Sequence, residues 1–316
     1  MRIVILGAGP AGLYLAYLLK RRRPDCSIEI FEQNPAGATF GFGIAFSERA
    51  LEFLNRDDPE TYAALRPALE TWSDSLVVLN GVEIRIDGIG YAGIGRLRLL
   101  EILTARARSV GIEPHYGKRL ESIDGLAADL IVGADGVNSV VRQAHAAEFG
   151  AAVDHFANRF AWFGTPRRFE ALSHTFLETP HGAFNAHHHR HAPNESTFVV
   201  EADEATFFRA GLDKMDAEQS RAFCAGIFSR TLEDAPLVSN ASIWRRFPKI
   251  RNARWSAGNR VLLGDALHTA HFSIGSGTRL AMEDAIALAK ALAEESGVEA
   301  ALAAYEATRK IGRAHV

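Results

Sequence analysis

The chain has 316 residues, of which 47% are hydrophobic and 23% are charged, and its formal net charge is −3. This length can bury a sizeable core and predicts two structural units. The charge balance excludes the strongly basic surface of a nucleic-acid-binding protein, and no uninterrupted apolar run of about eighteen residues indicates a membrane span. Cys26 and Cys224 form neither a C-x-x-C pair nor a zinc spacing, so we expect a reduced, cytoplasmic protein.

The start of the chain has the pattern of a nucleotide-binding unit. The apolar run from Ile3 to Leu6 predicts a buried parallel strand, followed by the G-x-G-x-x-G sequence Gly7-Ala8-Gly9-Pro10-Ala11-Gly12. In such a turn Gly7 permits the tight bend, Gly9 lets the backbone approach a pyrophosphate, and Gly12 lets the following helix lie close to the strand. The helix N-terminus then faces the anion.

Glu32 strengthens this interpretation. It follows a second predicted strand, Ser27 to Phe31, at the distance from the glycines where an acid accepts hydrogen bonds from a ribose diol. A secretory signal is the alternative, because Arg2 precedes a largely apolar stretch that ends at Leu19. That alternative is disfavoured, since glycines and Pro10 interrupt the stretch and a basic cluster follows it. We therefore predict a dinucleotide site.

The next part of the chain predicts a glycine-rich loop from Gln33 to Phe46 and short helices at Ser47 to Leu54 and Pro59 to Leu69. Leu76 to Leu79 and Val82 to Ile86 then read as a β-hairpin, because Asn80-Gly81 joins them. A hairpin does not belong inside a doubly wound unit. It is the first indication of a second, antiparallel region.

A return to the nucleotide-binding unit follows. Arg96 to Ala107 has a helical pattern, and an arginine in a first turn suits either an anionic partner or simple solvation. Asp129 to Val132 predicts another short strand, which leads into Gly133-Ala134-Asp135-Gly136. A glycine-aspartate turn after a strand is where an open sheet presents groups to a ligand.

The region from about Ala151 to Pro248 predicts one antiparallel sheet covered by a helix at Asp216 to Arg230. Its histidines include His187, His188, His189 and His191. Strand alternation places His188 on the opposite face from the other three. No carboxylate or cysteine partner is spaced with them, so a polar wall of a substrate pocket or a solvated face is favoured over a metal site.

The last part of the chain predicts a buried strand at Val261 to Leu263 that ends in Gly264-Asp265, then a loop and a helix from about Thr278 to Ala293. A strand-end aspartate suits a ribose or ribityl hydroxyl, and a glycine-flanked helix start suits developing negative charge. A basic run precedes the strand and predicts either a phosphate contact or exposed charge; it comprises Arg245, Arg246, Lys249, Arg251 and Arg254.

Together, the glycine turn at residues 7–12, Gly133-Ala134-Asp135-Gly136 and Gly264-Asp265-Ala266 resemble the three fingerprints of the para-hydroxybenzoate hydroxylase-like flavoprotein monooxygenases, in order and spacing. The stretch from His271 to Thr278 and on to Ala285 is similar to the branch that acts on salicylyl-CoA, anthraniloyl-CoA or tryptophan-derived pigments. The resemblance covers nearly the whole chain. It implies an α/β fold, with a Rossmann-like FAD-binding domain and an inserted antiparallel β-sheet substrate domain.

The resemblance also implies roles for individual residues. Gly7, Gly9, Pro10, Ala11 and Gly12 would hold the FAD pyrophosphate, and Glu32 the adenosine ribose. Arg96 would contact the FAD phosphates. The Asp135-Gly136 turn would serve both FAD and the reductant, and the Gly264-Asp265 turn would bind the ribityl or pyrophosphate region. The backbone of Gly275, Ser276, Gly277 and Thr278 would face the flavin pyrimidine edge. No metal is implied.

The implied reaction is hydroxylation of an aromatic ring through a flavin hydroperoxide, with FAD as cofactor, NADH or NADPH as reductant and O2 as co-substrate. A histidine near neutral pKa suits the role of base on a ring hydroxyl or amine, and His271 and His187 are the candidates. The expected substrate is an aromatic acyl-CoA thioester of the salicylyl or anthraniloyl type. A free indole or tryptophan-derived substrate and an inactive, truncated FAD-binding fragment are the alternatives. A halogenase is disfavoured because no Trp-x-Trp-x-Ile-Pro segment is present.

The predicted domains interleave along the chain. The FAD-binding domain is assigned to residues 1–75, 96–150 and 251–310, and the substrate domain to residues 76–95 and 151–250. Residues 311–316 can be back-translated into a common sequencing-adapter read, so we expect an artefactual tail on a gene fragment.

Overall fold

The computed structural model describes residues 1–313, with side chains described as far as Lys310. The last three residues of the predicted artefactual tail lie outside this range. The backbone divides into two compact units, one of Met1–Ala38, Leu100–Asp154 and the chain from Pro248, the other of Thr39–Leu99 and His155–Phe247. The domain assignment made from the sequence stays a prediction, because compactness does not assign a cofactor or a substrate to either unit.

The strands are, in chain order, β1 (Arg2–Leu6), β2 (Ser27–Phe31), β3 (Gly43–Ser47), β4 (Glu70–Trp72), β5 (Ser75–Leu79), β6 (Val82–Ile86), β7 (Tyr91–Gly95), β8 (Leu130–Gly133), β9 (Ala151–Thr165), β10 (Leu172–Thr179), β11 (Gly182–Ala192), β12 (Glu195–Ala202), β13 (Val238–Ser239), β14 (Arg245–Asn252), β15 (Ser256–Ala257) and β16 (Arg260–Leu262). The helices are α1 (Pro10–Arg22), α2 (Glu52–Asp57), α3 (Pro59–Leu65), α4 (Arg96–Ser109), α5 (Val140–Ala144), α6 (Ala146–Phe149), α7 (Glu204–Arg209), α8 (Ala217–Ile227), α9 (Ser229–Leu232), α10 (Gly277–Glu294) and α11 (Val298–Arg313).

The first unit contains a five-stranded sheet in the order β15-β16-β8-β1-β2. The three pairings from β16 to β2 are parallel, and the short edge strand β15 pairs antiparallel with β16. Helix α1 is buried from Ala11 to Leu19 because the sheet lies on one side and α10 on the other. The Rossmann-like prediction for this part of the chain is confirmed.

The second unit contains an eight-stranded sheet in the order β13-β9-β12-β11-β10-β5-β6, with β14 paired to β9. Along the order from β13 to β6, every pairing is antiparallel except the β5–β10 ladder, which is parallel. The predicted hairpin is confirmed, and Asn80 and Gly81 adopt φ values of 49° and 88° at its turn. Helices α7, α8 and α9 cover one face of the sheet with an aromatic core that includes Phe184, Phe198 and Phe228.

The predicted loop from Gln33 to Phe46 is wrong at its end, because β3 begins at Gly43. β3 pairs with β7, and β7 pairs with β4, in a three-stranded antiparallel sheet. Its glycines are required by close packing: a Cβ at Gly43 would lie 2.3 Å from His191, and a Cβ at Gly93 would lie 2.4 Å from the Arg190 carbonyl oxygen. Glycine in a strand therefore marks close approach here.

Within residues 1–313, no helix combines the length and apolar composition that a membrane span requires.

Candidate active site

The parallel ladders of the first unit bring four of the predicted cofactor segments to one edge of the sheet. β1 ends before Gly7, β2 before Glu32, β8 before the Ala134-Asp135 turn, and β16 before the Gly264-Asp265 turn. These strands are immediate neighbours in the order β16-β8-β1-β2 and run in the same direction, so their carboxyl ends lie side by side. This edge is where open α/β sheets bind ligands.

The three fingerprint glycines differ in how much room surrounds them. Gly7 has φ +102°, and a Cβ there would lie 2.3 Å from the Ala134 carbonyl oxygen. A Cβ at Gly12 would lie 2.0 Å from the Gly7 carbonyl oxygen, whereas a Cβ at Gly9 would meet nothing within 4 Å. Gly7 and Gly12 are therefore needed by the protein's own packing, and the open space at Gly9 fits a ligand group.

Helix α1 presents an anion site beside that space. Gly9 is its N-cap, Pro10 occupies its first turn and that turn has no acidic side chain. The basic residues Lys20, Arg21 and Arg22 lie at the opposite end, where cations complement the helix dipole. Lys20 Nζ donates to the carbonyl oxygens of Pro24 and Cys26 at 2.8 Å and 2.6 Å, so it caps the helix end.

Glu32 ties the glycine turn to the end of β2. Its Oε2 accepts a hydrogen bond from the Ala8 N–H at 2.9 Å, and its Oε1 accepts from the Asn34 N–H at 2.8 Å. The Asn34 side-chain amide donates to the same Oε1 at 2.7 Å. An ionised carboxylate has about four acceptor positions, so these bonds leave capacity for a ribose hydroxyl.

Asp135 has one satisfied and one unsatisfied oxygen. Oδ2 accepts from the Val140 N–H at 2.7 Å, while the buried Oδ1 has no hydrogen-bond partner among the described residues. Burial raises the pKa of Asp135 above its ordinary value, although bonds from Ser139 and Val140 oppose the shift. Gly136, with φ +74°, turns the chain next to it. A ligand hydroxyl or amide donor would satisfy Oδ1, so this turn fits a polar cofactor.

The turn after β16 places Gly264 and Asp265 differently. Gly264 is buried with φ +54°, and its N–H donates to Asp284 Oδ2 at 3.2 Å. Asp265 is exposed at the same edge of the sheet. A carboxylate in this position can accept hydrogen bonds from a ligand hydroxyl without a large desolvation cost.

The predicted flavin-edge segment forms the start of α10. Gly275 has φ +65°, Ser276 is the N-cap, Gly277 and Thr278 begin the helix, and its first turn has no acidic side chain. These residues are only half-buried, so their N–H groups can receive an electronegative ring edge. His271 lies just before them, with its Nδ1 2.8 Å from Ser273 Oγ.

Sequence reasoning missed a buried charge network behind this edge. Asp284 is fully buried on α10, with its Oδ2 2.9 Å from His268 Nε2 and its Oδ1 2.9 Å from Arg309 Nε. Arg309 also contacts Glu283 at 2.9 Å. The signal was present in the sequence, because Asp284 interrupts the apolar stripe of α10 at a core position. A buried carboxylate there requires partners.

In the second unit, the pairing registers place His174, His187, Val199 and Trp162 in one row across the sheet, on the face opposite the aromatic core. His187 is buried and its ring stacks on that of His174 at 4.5 Å. His188 faces the other way, where its Nε2 lies 3.0 Å from Thr175 Oγ1. The predicted alternation of the histidines is therefore confirmed.

This face is aromatic and electrically almost neutral. Its half-buried residues include Phe160, Trp162, His174, Asn185 and Glu201. Along the rows that join β9, β12, β11 and β10, the described residues place no lysine or arginine on it. Burial lowers the pKa of His174, although Glu201 opposes the shift. We call this surface the aromatic face.

His189 lies on the same side of β11 as His187 and is more buried than the half-buried residues of the aromatic face. It is 3% exposed, neither ring nitrogen has a hydrogen-bond partner among the described residues, and its ring lies 6.1 Å from that of Trp72. Burial and the neighbouring histidines lower its pKa to about 3. His189 is therefore neutral throughout the physiological range.

The remaining predicted residues are placed as follows. Arg96 begins α4 in the second unit, where its N–H donates to the Phe42 carbonyl oxygen at 2.8 Å. In the basic run, Arg246 donates to the Phe156 carbonyl oxygen at 2.9 Å and Lys249 pairs with Asp154 at 2.7 Å, while Arg251 is exposed. In the part of the chain that the structure describes, no cluster of three or more His, Cys, Asp or Glu side chains could hold a metal ion.

Two family models match the chain. One, described as an FAD binding domain, matches residues 93–315, and the other, described as an NAD(P)-binding Rossmann-like domain, matches residues 5–41. The chain is also similar at 21% identity to solved structures of 2-methyl-3-hydroxypyridine-5-carboxylic acid oxygenase, with a TM-score of 0.82 over 98% of this chain and 87% of the other. That likeness shows the fold.

Three curated relatives are similar over almost the whole chain. Salicyloyl-CoA 5-hydroxylase of a Streptomyces species is 40% identical over 98% of this chain, which spans 62% of the relative. The 3-hydroxy-4-methyl-anthranilyl-[aryl-carrier protein] 5-monooxygenase of Streptosporangium sibiricum is 36% identical over 98% of this chain and 84% of the relative. Protodeoxyviolaceinate monooxygenase of Chromobacterium violaceum is 36% identical over 97% of this chain and 83% of the relative. The chain therefore belongs to the FAD-dependent aromatic hydroxylase family.

Proposed function

We propose that the chain binds FAD along the carboxyl edge of its parallel sheet and, with NADH or NADPH and O2, hydroxylates an aromatic ring. The observation that carries this proposal is the arrangement of four adjacent strand ends, which brings Gly7, Glu32, Asp135 and Asp265 to one edge. The open space at Gly9 and the unsatisfied Oδ1 of Asp135 both fit a bound dinucleotide.

In this proposal the glycine turn at residues 7–12 holds the pyrophosphate at the α1 N-terminus, and Glu32 holds the adenosine ribose. Asp135 and Asp265 accept hydrogen bonds from hydroxyl groups, and the N–H groups of Gly275 to Thr278 face the flavin ring. Arg96 pairs with a phosphate. When bound, FAD supplies the redox chemistry, accepting hydride from the nicotinamide and activating O2. The chain's own task is to orient the aromatic ring and exclude water.

The proposed substrate is an aromatic acyl thioester of the salicylyl-CoA or anthraniloyl-CoA type. Two relatives carry names with a CoA-linked or carrier-protein-linked aromatic acyl group. The aromatic face supports a thioester over a free acid, because a free carboxylate lying on it would find Glu201 but no cation. Burying an unpaired carboxylate is costly, whereas a thioester is neutral.

A free indole or tryptophan-derived substrate is the second candidate, since a third relative is a protodeoxyviolaceinate monooxygenase. Such a ring is equally compatible with an aromatic face. A protection experiment with CoA distinguishes the two substrates. If free CoA protects the protein against proteolysis at low salt, the thioester is favoured. A third candidate is a chain that binds FAD but does not turn over a substrate.

His271 and His187 are the proposed bases for the ring hydroxyl or amine. His271 adjoins the start of α10 and is half-buried, and His187 lies in the row of the aromatic face. Each would accept the proton that the ring substituent loses as oxygen is added.

The proposed setting is the cytoplasm, where the two buried cysteines remain reduced. The proposed partners are a small aromatic substrate and the nicotinamide, and no nucleic acid or membrane. The exposed part of the basic run, including Arg245 and Arg251, would meet the phosphates of a bound CoA.

The test is to purify the protein, record its visible spectrum and follow NADH oxidation with and without salicylyl-CoA and anthraniloyl-CoA. A flavin spectrum together with thioester-stimulated oxidation supports the proposal. A colourless protein that takes up no added FAD contradicts it.

A further inference from the structure

Among the strands that the structure describes, none pairs with the outer edge of β6, and one side of β6 is apolar. It ends the eight-stranded sheet, and all five of its residues are exposed. Val82, Ile84 and Ile86 share one face and are 65%, 55% and 45% exposed. The registers place Leu79 and Phe176 on the same face, where they are 52% and 39% exposed. A contiguous apolar edge of this kind is normally covered, since it otherwise pairs with other chains.

The hairpin turn fixes which backbone groups of β6 point outward. Leu79 and Val82 flank the two-residue turn and form a hydrogen-bonded pair, and such pairs recur at every second residue of an antiparallel ladder. The backbone N–H and C=O groups of Ile84 therefore hydrogen-bond to Val77 on β5. The N–H and C=O groups of Glu83 and Arg85 point away from β5, toward the space beyond the sheet edge.

These two residues carry opposite charges, and this selects one mode of self-pairing. An antiparallel partner strand must oppose outward-pointing residues to outward-pointing residues. If β6 meets β6 of a second copy, three registers satisfy this condition. One opposes Glu83 to Glu83, one opposes Arg85 to Arg85, and the third, centred on Ile84, opposes Glu83 to Arg85 twice. Like charges directly opposite each other are destabilising and opposite charges are stabilising.

We propose that two copies of this chain form a dimer by antiparallel pairing of β6 about a twofold axis at Ile84. Each Glu83 then lies opposite Arg85 of the second copy, Val82 lies opposite Ile86, and the two Ile84 side chains meet at the axis. Arg85 already pairs with Asp74 at 2.7 Å, so in the dimer its guanidinium lies between two carboxylates. The contact is self-complementary, as a twofold interface requires.

Sedimentation of the FAD-loaded protein over a range of concentrations tests this proposal. We expect the wild-type chain to sediment at twice its 34.5 kDa mass. Glu83→Pro removes an outward N–H while leaving the β5–β6 ladder intact, and Glu83→Arg opposes arginine to arginine, so both should sediment as monomers. The double exchange Glu83→Arg with Arg85→Glu restores opposite charges and should restore the dimer.

Glu121→Arg is the matched control, because Glu121 is an exposed residue outside the hairpin and the change in charge is the same. It should remain a dimer. Circular dichroism of each variant separates loss of the dimer from loss of the fold. If the proline variant unfolds, Glu83→Arg still tests the proposal, because it changes a side chain and not the backbone. A wild-type monomer at all concentrations, or a folded Glu83→Arg variant that still sediments as a dimer, would overturn the proposal.

Discussion

Asp284 and Arg309 form a buried ion pair that links α11 to the turn after β16. Arg309 Nε lies 2.9 Å from Asp284 Oδ1, and the other carboxylate oxygen of Asp284 accepts from the Gly264 N–H at 3.2 Å. Tyr305, one turn earlier on α11, donates to the Leu262 carbonyl oxygen at 3.1 Å. Helix α11 thus holds the end of β16 and the turn that carries Asp265.

Removing Arg309 should destabilise this part of the first unit. Arg309→Ala leaves the Asp284 carboxylate buried with the His268 imidazole as its remaining side-chain neighbour, and breaking a buried pair in this way costs about 3–5 kcal/mol. Urea unfolding of the apoprotein measures the loss. Arg309→Lys keeps the charge and should lose less. Equal stability of the alanine variant and the wild type would show that the pair does not stabilise the turn.

The same pair predicts a pH dependence. Burial alone would raise the pKa of Asp284, but His268 and Arg309 hold it below its ordinary value. The stabilisation is then fully present above the ordinary carboxyl pKa of about 4 and is lost as the pH falls through the lowered value. Asp284→Asn should be less stable at neutral pH, and its free energy of unfolding should depend less steeply on pH in the acid range. Parallel pH profiles for the two proteins would contradict this assignment.

The glycine turn predicts two separable defects. Gly12→Ala places a Cβ 2.0 Å from the Gly7 carbonyl oxygen and should destabilise the apoprotein by about 1–3 kcal/mol. Gly9→Ala meets nothing within 4 Å, so the apoprotein should be unaffected while FAD affinity falls by more than about tenfold. FAD titration and thermal unfolding of the apoprotein separate the effects.

Gly226→Ala is the control for both glycine variants, because it also meets nothing within 4 Å and lies in the exposed part of α8. It should leave FAD binding unchanged and stabilise the helix slightly, by about 0.5–1 kcal/mol. If Gly9→Ala binds FAD as tightly as Gly226→Ala does, the open space at Gly9 is not a cofactor contact.

His189 predicts loss of stability in acid. Its pKa is lowered to about 3 by burial, so between that value and the ordinary histidine pKa of about 6.5 the unfolded chain binds a proton that the folded chain does not. Its contribution therefore makes the free energy of unfolding fall as the pH drops through this window, by up to about 1.4 kcal/mol per pH unit. His189→Leu should reduce the slope. An unchanged slope would show that His189 is not buried in its neutral form.

The two candidate bases predict a kinetic difference. His271→Gln and His187→Gln should each preserve the FAD spectrum, because neither side chain belongs to the glycine turn or the strand-end acids. In the variant that lacks the base, the rate of the hydroxylation step should fall by about 10²–10⁴-fold. That variant should therefore form less product per NADH consumed. Full coupling and full rate in both variants would exclude both histidines as the base.

The sequence predicted best where local pattern and fold agree. The apolar run and glycine turn identified β1 and α1, the strand at Ser27–Phe31 was found with its observed bounds, and Asn80-Gly81 identified the β5–β6 hairpin. In each case the local residue pattern determines the element without a distant partner.

The three-stranded sheet was missed for a physical reason. Gly43, Gly93 and Gly95 give β3 and β7 the composition of a loop. The close approach of His191 to Gly43, and of Arg190 and Trp72 to Gly93, explains why two of these positions need glycine. Likewise, Asp284 and Arg309 are 25 residues apart and their pairing depends on how α10 and α11 pack. Such long-range contacts leave little trace in local composition.

The most direct test of the proposed function is to incubate the FAD-loaded protein with NADH, salicylyl-CoA and ¹⁸O-labelled dioxygen, and to analyse the thioester product by mass spectrometry. We predict a hydroxylated acyl-CoA that carries one labelled oxygen on the ring. Consumption of NADH with hydrogen peroxide as the sole product, in the presence of salicylyl-CoA, anthraniloyl-CoA and indole substrates alike, would contradict the assignment of this chain as an aromatic hydroxylase.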